Sequence, residues 1–175
     1  MRINPELNIC VVKENTITGE KSWHYGKNIV TNDGDLYYAQ QAVEATPTSD
    51  FGGSNGRMEL RTGSATPAKA DVFTQVTTPI PTSIQPMDSN YPKVNDGDSD
   101  NTGSGTDIVT WLASWTTGDF NSNAIIGGCI HVAGGASGAT TPGATKILTH
   151  FSLTSFNKTS SDTLKIFVNH TFNGT

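Results

Sequence analysis

The acidic segment Asp96–Asp107 is the densest group of potential metal ligands in this chain. Four aspartates fall at positions 1, 3, 5 and 12 of an EF-hand-type calcium loop: Asp96, Asp98, Asp100 and Asp107. Asn101 stands where that loop has glycine, and no helical pattern flanks the segment on either side. Two interpretations stay open, a calcium site on these carboxylates or a solvated acidic loop that binds no cofactor.

A second motif, Gly52 to Gly56, matches the G-x-S-x-G pattern, in which Ser54 would act as a nucleophile. That pattern works where a strained turn between a strand and a helix exposes the serine. Here the proline-containing segment Pro47–Phe51 precedes the motif, and a predicted strand follows it. We therefore expect a glycine-rich loop and keep a serine hydrolase only as a remote alternative.

The histidines and cysteines are isolated from one another along the chain, and no spacing typical of zinc ligands occurs. We expect four structural or surface histidines: His24, His131, His150 and His170. Cys10 and Cys129 are predicted to be free thiols packed as small apolar side chains, and a disulfide between them is the alternative. The chain therefore offers no catalytic set that the sequence can assemble, and we predict a protein that is not an enzyme.

Trp111 and Trp115 invite a different function, an aromatic platform for host sugars. They alternate in the segment Ile108–Thr117 and share one face with Val109 and Ala113. A strand face made of apolar residues alone packs against a core. We therefore favour core packing for both tryptophans over the sugar platform.

The composition limits what could position these residues. The chain has 175 residues, of which 34% are hydrophobic and 15% charged, with 18 glycines and 8 prolines. Few strong helix formers remain, so a helical bundle or coiled coil is excluded, and short strands joined by turns are favoured. The formal net charge is -5 and no lysine or arginine cluster occurs, so we expect neither nucleic acid nor a membrane surface as a partner.

The hydropathy pattern predicts an all-β fold, mainly an antiparallel β-sandwich or jelly-roll-like barrel, with one short α-helix. Residues 1–27 read as an extended N-terminal arm or hairpin with a turn at Thr18-Gly19. Residues 28–175 read as a single domain with a long polar loop at 87–107. The helix is predicted over Asp35–Val43, capped by Thr31 or Asn32, with an apolar face of Leu36, Ala39 and Val43.

The order of these segments resembles a layout found in structural proteins of tailed-bacteriophage virions. In that layout a TGE-type hairpin precedes an N-x-V-T-N-x-G helix start, and a glycine-proline turn, an aromatic alternating strand and a K-T-S-S-D-T-L strand pair follow. The matching segments are Thr18–Glu20, Asn28–Gly34, Arg61–Ala68, Thr110–Gly118 and Lys158–Leu164.

This resemblance implies a virion protein assembled in the host cytoplasm, in a family that has tail, fibre and head-decoration roles. Our leading hypothesis is a capsid decoration (cement) protein. Such a protein binds the outer shell, usually as a homotrimer, and bridges neighbouring major capsid proteins. We would expect the arm to reach a neighbouring subunit and edge strands to pair across chains. The alternative within the virion is a tail, baseplate or fibre component that contacts a host receptor.

Overall fold

The computed structural model describes residues 8–44, 51, 55–94, 108–132 and 146–172. More than half of these residues lie in antiparallel strands, which confirms the predicted β class with one helix. The elements are β1 (Ile9–Asn15), β2 (Lys21–Val30), α1 (Asn32–Val43), β3 (Gly56–Arg61), β4 (Gln85–Pro86), β5 (Lys93–Val94), β6 (Ile108–Trp115), β7 (Ser122–Val132), β8 (Ile147–Lys158) and β9 (Asp162–Thr171).

The nine strands form one continuous sheet in the order β4-β3-β7-β8-β2-β1-β9-β6-β5. Its two ends belong to one short segment, residues 85–94, because β4 pairs with β3 while β5 pairs with β6. Between them, the Asp88 N–H donates to the Leu112 carbonyl of β6 over 2.9 Å. The sheet therefore curls until its two edges meet, which satisfies strand groups that an open sheet would expose.

This closure corrects two expectations from the sequence. The predicted polar loop at 87–107 is partly sheet, since residues 87–94 run along β6; residues 95–107 lie outside the described residues. Cross-chain pairing of edge strands also loses its basis in the described part of the chain. The outer edge of β3 is covered by β4 and by hydrogen bonds from Ile80 and Thr62 to neighbouring backbone.

The N-terminal hairpin is confirmed, but it is not an arm. β1 pairs with β2 on one side and with β9 on the other, so it lies in the middle of the sheet. Ile9–Val12 are all buried because neighbouring strands and side chains cover both faces. Gly19 closes the turn at φ 72°, a conformation that glycine adopts at little cost. An arm could include only residues 1–7, which lie outside the described residues.

Helix α1 begins where the sequence predicts. The Thr31 hydroxyl accepts the Gly34 N–H over 3.2 Å, and Asp33 and Asp35 occupy the first turn, where the helix dipole favours negative charge. A β-carbon added at Gly34 would lie 2.2 Å from the Leu148 carbonyl oxygen. This glycine therefore allows the helix to lie directly against β8.

That close approach reverses the predicted face of the helix. The buried residues are Gly34, Tyr37 and Gln40, whereas the predicted apolar face points outward. Leu36 is 47% exposed and Val43 is 83% exposed. The spacing identified the helix but not the side that faces the core, because the glycine decides which side can come close.

The interior of the curled sheet contains one large apolar cluster that includes Trp111, Trp115, Phe151, Ile166 and Met58. The predicted core packing of both tryptophans is confirmed, and the alternative of a sugar platform on these two side chains is ruled out by their burial. A smaller apolar cluster lies on the outer face of β1, β6 and β9. Another, made of Val76, Cys129 and Ile147, lies on the outer face of β7 and β8.

The pairing of β7 with β8 is irregular, and this changes which face some side chains occupy. The register of β7 with β8 shifts between Ile125 and Gly127 and again between Ile130 and His131. Because of the shift at Ile130/His131, Ile147 belongs to the outer cluster although Phe151, four residues later in the same strand, faces the core.

Candidate functional site

Three side chains with reactive groups form a row across β3, β7 and β8. Glu59 lies opposite Cys129, and Cys129 lies opposite His150. Residues that are directly opposite in antiparallel strands share one face of the sheet. The adjacent residues Leu60 and Ile130 belong to the interior cluster, so the row lies on the outer face.

Each end of this row is paired with a charged or titratable side chain: Glu59 with His131, and His150 with Asp71. The Glu59 Oε2 atom lies 3.3 Å from His131 Nε2, within ion-pair distance but without the alignment of a hydrogen bond. The Asp71 carboxylate lies 2.7 Å from His150 Nδ1. Both histidine side chains and Glu59 are almost fully buried, so neither pair is exposed to screening by solvent.

The segment between β3 and β4 covers the row; we call residues 62–80 the connector. Its Val76 packs on Cys129 and Ile147, and Phe73 stands edge-on to His131 with ring centroids 5.3 Å apart. Asp71 also accepts the Ala68 N–H over 2.8 Å, which fixes the turn that carries the carboxylate. The connector thus seals the row from solvent.

Cys129, His150 and Asp71 are the residue types of a thiol nucleophile, a base and an orienting acid. Burial raises the pKa of the Cys129 thiol well above its usual value, and the charge of Glu59 raises it further. Burial also lowers the pKa of His150, so its imidazole is neutral, with Nδ1–H donating to Asp71 and Nε2 without a partner. No hydrogen bond joins His150 to Cys129. The arrangement holds a protonated thiol and does not activate it.

The row is not a metal centre either. Within the described ranges, no three His, Cys, Asp or Glu side chains are arranged to hold a metal ion. Of the two pairs, Asp71–His150 attaches the connector to the outer face of the sheet, whereas Glu59–His131 joins the neighbouring strands β3 and β7.

Arg61 is the last residue of β3, lies on the same face as Glu59 and is 1% exposed. Its Nη1 donates to the Gly63 carbonyl, and its Nη2 donates to the carbonyls of Ala65 and Phe151 and to the Ser152 hydroxyl. A β-carbon at Gly127 would lie 2.8 Å from both Nε and Nη2, so this glycine lets the guanidinium cross β7. Burial lowers the pKa of Arg61 from its usual value.

A separate polar chain lies inside the curled sheet. The Trp111 indole N–H donates to the Tyr38 hydroxyl over 2.9 Å, and that hydroxyl lies 2.6 Å from His170 Nδ1. Because the indole can only donate, the Tyr38 oxygen accepts its hydrogen bond, and the Tyr38 O–H donates a hydrogen bond to His170 Nδ1. His170 Nδ1 is therefore unprotonated. Burial lowers the pKa of His170 to about 3, and the Lys69 charge contributes in the same direction.

The turn between β8 and β9 carries the Lys158–Leu164 motif. Asp162 accepts the Thr159 N–H and hydroxyl, both over 2.8 Å, and these bonds lower its pKa although burial alone would raise it. Lys158 is 1% exposed, and its Nζ donates to the Phe120 carbonyl over 2.9 Å. The motif thus forms a capped turn, and nothing in these contacts activates a reacting group.

None of the residues that the sequence proposed for a metal or catalytic site falls within the described ranges. The calcium candidates Asp96, Asp98, Asp100 and Asp107 lie outside the described residues, as does Ser54. Cys10 and Cys129 are buried and not joined by a disulfide, as predicted. Three of the four histidines are buried structural residues, and His24 stacks on Phe156 at 4.6 Å between ring centroids.

The paired carboxylates were missed by sequence reasoning. Glu59 lies between Met58 and Leu60 in a strand, where alternation predicts a solvated outer face. The sequence did contain a signal for this row. Arg57, Glu59 and Arg61 alternate along one predicted strand, and Cys129 and His131 alternate along another, so each strand carries polar or reactive side chains on one face. Whether side chains from two strands come into contact depends on the register of the strands, and register is set by the tertiary structure.

Comparison of the chain with protein-family models, with curated proteins and with solved structures finds no match. None of the helices in the described ranges has the length and apolar character needed to cross a bilayer. The site therefore has to be interpreted from its own geometry.

Proposed function

We propose that this protein is a non-enzymatic structural component of a bacteriophage virion, a decoration (cement) protein on the outer capsid shell. It would bind neighbouring major capsid proteins and bridge them, several copies acting together through avidity. We further propose that the curled sheet is the core of a jelly-roll-like barrel. The resemblance of the segment order to virion proteins gives the class, and the distribution of exposed side chains supports it.

That distribution is the observation that carries the proposal. The thiol and imidazoles that could act in catalysis, those of Cys129, His131, His150 and His170, are all buried. Apolar side chains are exposed instead, on the outward face of α1, where Leu36 and Val43 have no covering element in the described residues. A large apolar side chain costs free energy in water and gains it when a partner covers it.

We assign the outward face of α1, defined by Leu36, Ala39 and Val43, to contact with the major capsid protein. The face carries no basic side chain, and the helix has none in its last turn, so an anionic partner gains nothing here. An apolar stripe of about two turns suits a shallow hydrophobic surface on another protein. Copies of the chain around a symmetry axis, as a trimer, would present several such stripes at once.

The decisive experiment is to locate the protein on particles of the phage that encodes it. We expect mass spectrometry of purified virions to detect it and cryo-EM density to place it on the outside of the head. Deleting its gene should leave particles that form but break at lower temperature. Absence from purified virions would contradict the proposal. Density on the tail or baseplate would instead support the receptor-contacting alternative.

The helix assignment has its own variants. Leu36→Asp and Val43→Asp should each reduce the number of copies bound to depleted heads, because a buried unpaired carboxylate opposes docking. Gln41→Asp adds the same charge at an exposed position of the same helix and is the matched control. Equal binding by all three variants would remove α1 from the interface without removing the protein from the capsid.

A further inference from the structure

The turn between β1 and β2 presents an apolar side chain to solvent; we call residues 16–20 the hairpin tip. All five of its residues are exposed, and Ile17 is 79% exposed. Turns favour glycine, asparagine and other small or polar residues, so an isoleucine is unusual at this position. Among the large apolar side chains of the described residues, only Val43, on the outward face of α1, is more exposed.

The hairpin tip is fixed by hydrogen bonds although it lies in solvent. Each of its five backbone N–H groups donates a hydrogen bond, at donor–acceptor distances of 2.8 to 3.2 Å. These bonds run from Thr16 to the Ser161 carbonyl, from Ile17 and Thr18 to Asn15 Oδ1, from Gly19 to the Asn15 carbonyl, and from Glu20 to the Thr18 hydroxyl. A side chain carried by a fixed backbone loses little conformational entropy on binding, which favours a contact surface here.

The hairpin tip and α1 lie at opposite ends of the curled sheet. β2 begins directly after the tip and ends two residues before α1, and its 10 residues span on the order of 30 Å. β8 connects the same two ends. The Leu148 carbonyl near its start accepts the Thr31 N–H at the cap of α1, whereas Ser161 in the turn after its end bonds the tip. The two most exposed apolar side chains of the described residues, Ile17 and Val43, therefore lie far apart.

The charges around the hairpin tip indicate what covers Ile17. The tip contains no basic side chain and one acidic residue, Glu20, so it gains nothing from an anionic lipid or nucleic acid. The adjacent charges on the two strands, Glu14 and Lys21, pair with each other over 3.5 Å. An uncharged apolar pocket on a protein fits this surface best.

The size of the hairpin tip limits how it can act. Five turn residues bury much less than the about 1,200 Å² of a stable protein–protein interface. The tip alone therefore cannot hold two free copies of the chain together. It can add affinity where another surface of the same copy is already bound, because the second contact is then effectively intramolecular.

We propose that the hairpin tip inserts Ile17 into an apolar pocket on one major capsid protein, while the outward face of α1 contacts a neighbouring one. This inference rests on the proposed function and supplies the second contact surface that bridging requires. The length of β2 sets the separation of the two contacts, on the order of 30 Å.

The test is binding of the full chain to heads depleted of it. Ile17→Asp should weaken binding at least about tenfold, because a carboxylate opposes entry into an apolar pocket. Ile17→Val keeps an apolar side chain and should bind within about fivefold of the natural protein. Thr154→Asp adds the same charge at an exposed position of β8 and is the matched control, with unchanged binding. All three positions of change are exposed, so circular dichroism should give each variant the melting temperature of the natural protein.

Heads saturated with Ile17→Asp should break at the temperature of undecorated heads, because α1 alone links no two subunits. Equal affinity of Ile17→Asp and Thr154→Asp for depleted heads would overturn this inference and leave the proposed function intact. Absence of binding by the natural protein would overturn the proposed function and this inference with it. Slower sedimentation of free Ile17→Asp than of the natural protein would assign the tip to a contact between copies and would also overturn the inference.

Discussion

The two buried polar groups of this protein are stabilised in opposite ways. Inside the curled sheet, Trp111, Tyr38 and His170 form a neutral chain of hydrogen bonds with a fixed direction. Beneath the connector, carboxylates pair with His131 and His150. The inner chain is held by elements of the sheet and by α1, whereas the Asp71–His150 pair holds the connector, which has little regular structure.

This difference predicts two kinds of failure. Damage to the inner chain affects the packing that all strands share, so it should lower the free energy of global unfolding. Damage to the Asp71–His150 pair releases a covering segment, so it should open the connector locally before the sheet unfolds. The variants below test that distinction, beginning with the largest effect.

Trp111→Ala should lower the free energy of unfolding by about 3–5 kcal/mol, because it leaves a cavity in the core and removes the donor to Tyr38. Urea unfolding followed by circular dichroism measures the change. Trp23→Ala is the matched control, because this tryptophan is 45% exposed on β2, and we expect less than about 1 kcal/mol for it. Similar losses for both variants would contradict the placement of Trp111 at the centre of the core.

Acidification should destabilise the inner chain. The pKa of His170 in the folded protein, about 3, lies below its unfolded value of 6.5, so above pH 6.5 both states are neutral and there is no penalty. As the pH falls below 6.5, the unfolded chain binds a proton that folded His170 does not. Stability should fall by about 1.4 kcal/mol per pH unit from this group down to pH about 3. The lowered pKa of His150 acts in the same direction.

Urea unfolding at pH 7, 6, 5 and 4.5 measures this slope before most carboxylates titrate. His170→Gln removes the titrating group and should flatten the dependence, although its stability at pH 7 is lower. A slope that is unchanged in His170→Gln would assign the acid sensitivity to other groups and would contradict burial of a neutral imidazole.

Asp71→Asn should affect the outer group. It removes the negative charge that accepts from His150 and Ala68, and we expect a loss of about 1–3 kcal/mol. Hydrogen exchange should rise in the connector while the amides of β1 and β9 stay protected. Cys129, which the connector covers, should react with a thiol reagent faster in this variant. Uniform loss of protection along the chain would show that the connector and the sheet unfold as one unit.

We expect the smallest change in stability from the contact between the connector and α1. Lys69 of the connector pairs with Asp35 of α1 over 2.5 Å, but both side chains are about half exposed. Lys69→Met should change stability by less than about 0.5 kcal/mol, because exposed ion pairs contribute little. The Asn32 N–H still donates to the residue 69 carbonyl over 2.8 Å in this variant, so the connector remains attached. A loss above about 1 kcal/mol would reveal a stronger coupling between the regions than the geometry indicates.

Features that depend on neighbours in sequence were predictable. The Thr18-Gly19 turn, the Thr31 cap and the alternation of Trp111 with Trp115 all follow from local backbone and side-chain preferences. The buried face of α1 was not predictable in this way. Leu36, Ala39 and Val43 have the spacing of a core face, yet Gly34 permits close contact with β8 only on the opposite side.

The sequence by itself determined the class of this protein: turn-rich, acidic, mainly β, with one capped helix and strands whose apolar faces are visible by alternation. Those properties are local, since each depends on a few consecutive residues. The tertiary structure alone decided that residues 85–94 close the sheet, that Glu59 meets His131 and Asp71 meets His150, and that the Arg61 guanidinium reaches the Phe151 carbonyl of β8. Each of these depends on strand order and register, which place residues far apart in sequence within a few ångströms of one another.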